Sequence, residues 1–170
     1  MTLIVCPLSH VETLVAARAP SHLITLLSPP ETLKTPAGID PERHLRLSVH
    51  DIDAPGADMI APDTALVERI LAFGETWDEA APMLIHCWAG ISRSTATAFT
   101  LACARNPGTD EGAIARAMRA ASPQAFPNRR IVALADDILG RRGRMVAAVE
   151  AMGGNNFVPE GVPFELAARH

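Results

Sequence analysis

Cysteine is scarce in this chain, with three in 170 residues, at positions 6, 87 and 103. An odd count with no C-x-x-C spacing argues against a disulfide framework, and free thiols suit a reducing cytoplasm. Long apolar runs are missing too. No stretch approaches the roughly 20 residues that a membrane span requires. The first ten residues, MTLIVCPLSH, put no basic region ahead of their short apolar run, so they read as a strand and not as a signal peptide. Lysine occurs once, against 14 arginines, and the net charge is −4. Apart from Arg141, Arg142 and Arg144 the cations are dispersed, whereas a nucleic-acid backbone calls for a concentrated basic face. The histidines at 10, 22, 44, 50 and 170 show no metal-ligand spacing and are expected to face solvent or cap helices. The expectation is a cytoplasmic protein with no metal, cofactor, membrane or nucleic-acid partner. Its arginine and alanine bias is of the kind that GC-rich bacterial genomes produce.

What is present is an ordinary globular composition, 48% hydrophobic and 20% charged, in a length that suits one domain. Residues 3–6, 22–28, 44–49 and 83–87 read as strands. Ser9-x-x-Glu12 reads as a capping box opening a helix to Arg18. Pro62-Asp63-Thr64 opens another to Trp77, with Leu66, Ile70 and Phe73 on one face. Further helices are expected from Ser92 or Arg93 to Arg105, from a Thr109 cap to Ala121, and from an Asn128 cap onward, the last interrupted at Gly140 and Gly143. This order predicts a three-layer α/β domain, a central and mostly parallel sheet flanked by helices. Residues 1–152 are assigned to it and residues 153–170, which have no period, to an irregular C-terminal tail.

The segment HCWAGISRS, residues 86–94, carries the chemistry. A strand ends at Cys87 and a helix begins near Arg93, so the turn between them points successive amides of residues 88–93 into one bowl. Such a bowl at a helix N-terminus binds a dianion through oriented donors and the helix dipole. Ala89 and Gly90 let the backbone curl tightly, Trp88, Ile91 and Ser92 complete the loop, and the Arg93 fork can take two oxygens at once. A thiol in that field ionises far more easily than a free one. His86 is expected to order the loop from behind, and the Ser94 hydroxyl to assist the sulfur when it leaves. A lone cysteine is most often a core residue. H-C-x2-G-x2-R-S, however, arises by chance in a chain this long with a frequency on the order of 10⁻⁵.

His86-Cys87-x5-Arg93-Ser94 resembles the signature of cysteine-dependent protein tyrosine phosphatases, of the compact dual-specificity type. The segment around Pro127 and Asn128 is similar to that family's Pro-Asn turn and following helix, so the likeness spans roughly residues 2–140. It implies the phosphatase fold and hydrolysis of phosphotyrosine, and of phosphoserine and phosphothreonine, through a cysteinyl-phosphate. The substrate would be a phosphorylated protein or a small phosphomonoester. It also implies a general acid, an aspartate on a loop some thirty-odd residues before the cysteine. Asp51, 36 residues ahead of Cys87 and just after a strand, is the first choice, with Asp53 the alternative and Asp58 third. His50 is a candidate to tune that acid.

Loop positions 88, 89, 91 and 92 hold no basic residue, which counts against phosphoinositides, whose phosphatases place lysines there. Trp88 either forms the rim or packs inward. Without tyrosine the chain cannot build the Tyr-lined slot of the larger phosphatases. A phospho-ligand-binding pseudophosphatase, a phosphoinositide or small-phosphomonoester phosphatase, and an arsenate reductase or sulfur carrier remain as alternatives. Cys6 and Cys103 are read as core residues, with redox protection of Cys87 the other possibility.

Overall fold

The computed structural model describes residues 1–154 and 158–170. Five strands, β1 (Thr2–Pro7), β2 (His22–Leu27), β3 (His44–Ser48), β4 (Met83–Cys87) and β5 (Phe164–Ala167), form one sheet in the order β3-β2-β4-β1-β5. The β3–β2, β2–β4 and β4–β1 pairs are parallel and β5 is antiparallel to β1. Parallel pairing explains the near-continuous apolar runs of β1, β2 and β4, because helices cover both faces. The architecture is thus the three-layer α/β domain that the sequence predicts, with a mixed, mostly parallel sheet.

The two faces are unequal. Helix α1 (Val11–Arg18) covers one side, where Ile4, Cys6, Leu23 and Leu84 meet Val11 and Val15. The other side holds α2 (Thr64–Thr76), α3 (Arg93–Arg105), α4 (Glu111–Ala121), α5 (Arg129–Ile138) and α6 (Arg144–Ala151) around a large core that includes Trp77 and Phe99. Every residue of α3 from Arg93 to Cys103 is buried. Its Ala, Ser and Thr side chains are small enough to let the sheet, α2, α4 and α5 all pack against it. No helix among the described residues is long and apolar enough to cross a membrane.

Three local expectations are corrected. Ser9 closes no capping box: a 3-10 turn over Leu8–His10 precedes α1, and the Ser9 hydroxyl donates instead to Glu160 Oε1 at 2.7 Å. Asp110, not Thr109, caps α4, its carboxylate accepting from the amides of Gly112 and Ala113. A carboxylate at a helix N-terminus also meets the favourable end of the dipole. The tail expected to be irregular contains β5, whose Phe164 and Leu166 turn inward while Glu165 and Ala167 turn out. Four residues are too few for alternation to stand out in a sequence, and the pairing that stabilises them lies at the opposite end of the chain. Residues 155–157 of that tail lie outside the described residues.

Candidate active site

The parallel strands all run toward one edge of the sheet, and the site is built there. Ligands in open α/β sheets bind outside the carboxyl ends of the strands. Ser28 follows β2, Asp51 follows β3, and Cys87 ends β4. Together with Trp88, Ala89, Ile91, Ser92, Arg93 and Asn128, they line a cavity of about 800 Å3.

The loop's shape follows from who takes its carbonyls. Trp88 O accepts from Leu8 N at 3.1 Å, Ala89 O from Gly161 N at 2.8 Å and Ile91 O from Phe126 N at 2.9 Å. Ser92 O accepts from Ala96 N at 2.9 Å and Asn128 N at 3.2 Å, and Cys87 O faces His86 Nδ1 at 3.3 Å. Each of these carbonyls is therefore tied from outside the turn. In a trans peptide the N–H points opposite to the C=O of the same unit, so the amides of residues 88, 89, 90, 92 and 93 face inward. Gly90 makes the curl possible: its φ is +71°, and a Cβ there would stand 2.5 Å from Pro7 N and 2.7 Å from Cys6 C.

Cys87 is 2% exposed, with Sγ 3.1 Å from Ser94 Oγ. Arg93 is buried at 5% exposure and pinned through one nitrogen, which donates to Val49 O at 2.7 Å and to Ser28 Oγ at 3.0 Å. Its Nε, also buried, has no hydrogen-bond partner among the described residues. Asp51 Oδ2 pairs with it at 3.8 Å, beyond hydrogen-bond distance, so the group keeps a donor free for a closer acceptor.

Of the three aspartates, Asp51 lies nearest this machinery. Its Oδ1 accepts from Ser92 Oγ at 2.7 Å and from Asn128 Nδ2 at 2.9 Å, and its Oδ2 stands 3.8 Å from Arg93 Nε. Asp53 is exposed on the same cavity wall, whereas Asp58 sits in a left-handed turn outside the lining. His50 clasps the intervening loop: its N–H donates to Ile60 O at 2.8 Å and its Nδ1 accepts from Ile60 N at 2.9 Å.

His86 is fully buried, and burial pushes its pKa down to about 4. A neutral imidazole gives the loop direction, not charge. His44 and His22 are buried as well, a correction to the expectation that they face solvent, and burial also brings His44 down to about 4. His22 lies on β2, buried along its whole length, and His44 at the start of the edge strand β3, where Thr25 and Thr35 meet its ring; spacing alone reveals neither setting. Cys6 and Cys103 are buried thiols pushed up to about 12, chiefly by desolvation. Cys6 packs in the α1 cluster and Cys87 in the opposite core, so the sheet lies between those two side-chain groups.

Sequence reasoning missed several components. Ser28 anchors Arg93, and Asn128, expected as a helix cap, also holds Asp51. Trp88 is 55% exposed and Phe126 41%, which settles the tryptophan on the rim, and Val158 and Pro159 of the supposed tail line the same cavity. Only the Pro-Asn resemblance offered any signal for one of these.

No protein-family model matches the chain, and no curated protein matches it. Solved structures do. Human DUSP28 aligns at 22% identity with a TM-score of 0.56, over 84% of this chain and 88% of that one. DUSP15 aligns at 20% identity and TM-score 0.59, over 89% and 92%. PTPMT1, solved in complex with PI(5)P, aligns at 15% identity and TM-score 0.59, over 81% and 87%. At these identities the likeness is one of architecture: the chain has the fold of the dual-specificity phosphatases.

Proposed function

We propose that this protein hydrolyses phosphomonoesters on proteins, phosphotyrosine first among them, through a cysteinyl-phosphate. One observation carries the reading: inward amides, the Nε of Arg93 and the Sγ of Cys87 converge on a single bowl. In the first step Cys87 Sγ, as thiolate, bonds to phosphorus while the bond to the leaving oxygen breaks, and Asp51 gives that oxygen a proton. In the second, water adds to phosphorus and passes its proton to Asp51 while the P–S bond breaks. The Ser94 hydroxyl, 3.1 Å away, donates to the departing thiolate. Throughout, Arg93 and the amides hold the other oxygens, where fixed donors stabilise charge most effectively.

The mouth of the site bears on the substrate. Trp88, Phe126, Val158 and Pro159 give it an apolar wall suited to an aromatic ring. Glu31 and Asp53 stand on the same lining. These two carboxylates outnumber the further cation of the lining, Arg129, and so disfavour additional phosphates, which counts against a phosphoinositide headgroup even though PTPMT1 was solved with one.

The test is turnover of an aryl phosphate, a phosphotyrosyl peptide, a phosphoseryl peptide and a phosphoinositide by the purified protein and by Cys87→Ser. Hydrolysis confined to the wild type, fastest on the phosphotyrosyl peptide, is expected. Phosphate binding without turnover would favour a pseudophosphatase, and faster release from the phosphoinositide would move the substrate assignment.

A further inference from the structure

Behind the bowl, on the α1 side of the sheet, five polar side chains touch in a row, four on three adjacent strands and Thr35 on the loop between β2 and β3. Thr25 on β2 lies in register with His86 on β4 and with Arg46 on β3. His44 is two residues before Arg46, hence on the same face of β3. Thr25 Oγ1 is 2.7 Å from His86 Nε2 and 2.8 Å from His44 Nε2, and His44 Nδ1 is 3.1 Å from Thr35 Oγ1. Arg46 donates to Thr35 Oγ1, and His86 Nδ1 faces Cys87 O at 3.3 Å. Thr25, His44 and His86 are all buried.

The carbonyl end of this row, with both imidazoles neutral, fixes every proton in it. A backbone carbonyl can only accept, so His86 carries its proton on Nδ1. Both imidazoles are neutral at pH 7, each with a pKa near 4. His86 Nε2 is then bare and takes the Thr25 hydroxyl proton, and the Thr25 oxygen must accept from His44 Nε2–H. His44 Nδ1 is bare in turn and accepts from Thr35, whose oxygen accepts from Arg46. A guanidinium can only donate, and a hydroxyl oxygen that accepts from it keeps its own proton free to give, so the arginine end is compatible with this direction and the carbonyl end sets it.

We infer that Arg46, Thr35, His44, Thr25 and His86 form a one-way hydrogen-bond chain that orients the Cys87 peptide, with Thr25 and His44 as positioning residues for the anion loop. The inference rests on reading residues 87–93 as such a loop. With the Cys87 carbonyl held from behind, the N–H of the same peptide, that of Trp88, points into the bowl. Successive donors in a chain polarise one another, and Thr25, His44 and His86 are buried, where that coupling is least screened.

The protonation pattern is testable without turnover. Long-range proton–nitrogen NMR of the wild type at pH 7 is expected to show opposite tautomers, Nδ1–H in His86 and Nε2–H in His44. Nε2–H in His86, or the same tautomer in both rings, would overturn the chain. Thr25→Val is expected to bind inorganic phosphate about ten-fold more weakly, with a comparable fall in kcat/KM, and Thr25→Ser to restore both. A folded Thr25→Val with wild-type phosphate affinity would also overturn it. Should Thr25→Val not fold, the wild-type tautomers still decide. Wild type that binds no phosphate would remove the proposed function, while the tautomers would report independently on the chain.

Discussion

Asp51 Oδ2 stands 3.8 Å from the Nε of Arg93, and Ser92 and Asn128 hold its other oxygen. That placement puts a carboxyl group beside a phosphate seated against Arg93, where it can exchange a proton with the leaving oxygen.

Asp51→Asn is therefore expected to lower kcat about 10²- to 10⁴-fold for phenyl phosphate, and far less for aryl phosphates whose leaving groups need no proton. Leaving-group dependence of kcat for Asp51→Asn and Asp53→Asn checks this. The pattern appearing in Asp53→Asn instead would transfer the role to Asp53.

Arg93 is held by Val49 O and Ser28 Oγ while its Nε remains to meet a ligand. An ammonium has neither the planar fork nor the span to serve both ends. Arg93→Lys is expected to reduce kcat by about 10²- to 10³-fold and to weaken phosphate inhibition. Steady-state kinetics with phosphate as competitor would show it. An unchanged inhibition constant would separate Arg93 from the anion.

Gly90 and Gly140 both have positive φ, but only Gly90 presses on backbone. Gly140→Ala is expected to cost about 1 kcal/mol, the left-handed penalty alone. Gly90→Ala adds a clash with Pro7 N that no rotamer relieves, and is expected to cost about 2–4 kcal/mol and most of the activity. Denaturant titrations of the two variants compare them directly; equal losses would show that the loop has slack at Gly90.

The buried histidines make stability depend on pH. His44 and His86 titrate near 4 in the folded protein, below the ordinary 6.5 of the unfolded chain. Between those values the unfolded state binds more protons, so stability falls as pH drops from 6.5 toward 4. One such histidine corresponds to ~3 kcal/mol across that window. Urea midpoints at pH 7, 6, 5 and 4.5 should decline steadily, and a flat profile would mean that both imidazoles charge without unfolding.

How far the sequence could be read depended on how local each interaction is. Strands β1 to β4 and helices α2, α3 and α5 were legible because each declares itself within a few residues: an apolar run, Asp63 or Asn128 as a cap, Asn106-Pro107 as a stop. The capping box at Ser9 failed because a 3-10 turn from Leu8 took over the helix start. β5 failed because nothing in Phe164–Ala167 names β1 as its partner.

The same division runs through the site. Nucleophile, anion loop and guanidinium lie in seven consecutive residues, so a strand ending at Cys87 and a helix beginning at Arg93 were enough to place them together. The fold alone decided which aspartate reaches Arg93, which amides tie back the loop carbonyls, that Ser28 anchors the guanidinium, and that Thr25 and His44 stand in line behind His86. Those contacts join strand ends and loops tens of residues apart. They are set by parallel register and by packing across the sheet edge, and periodicity in a sequence reports the face a residue takes without naming what it meets there.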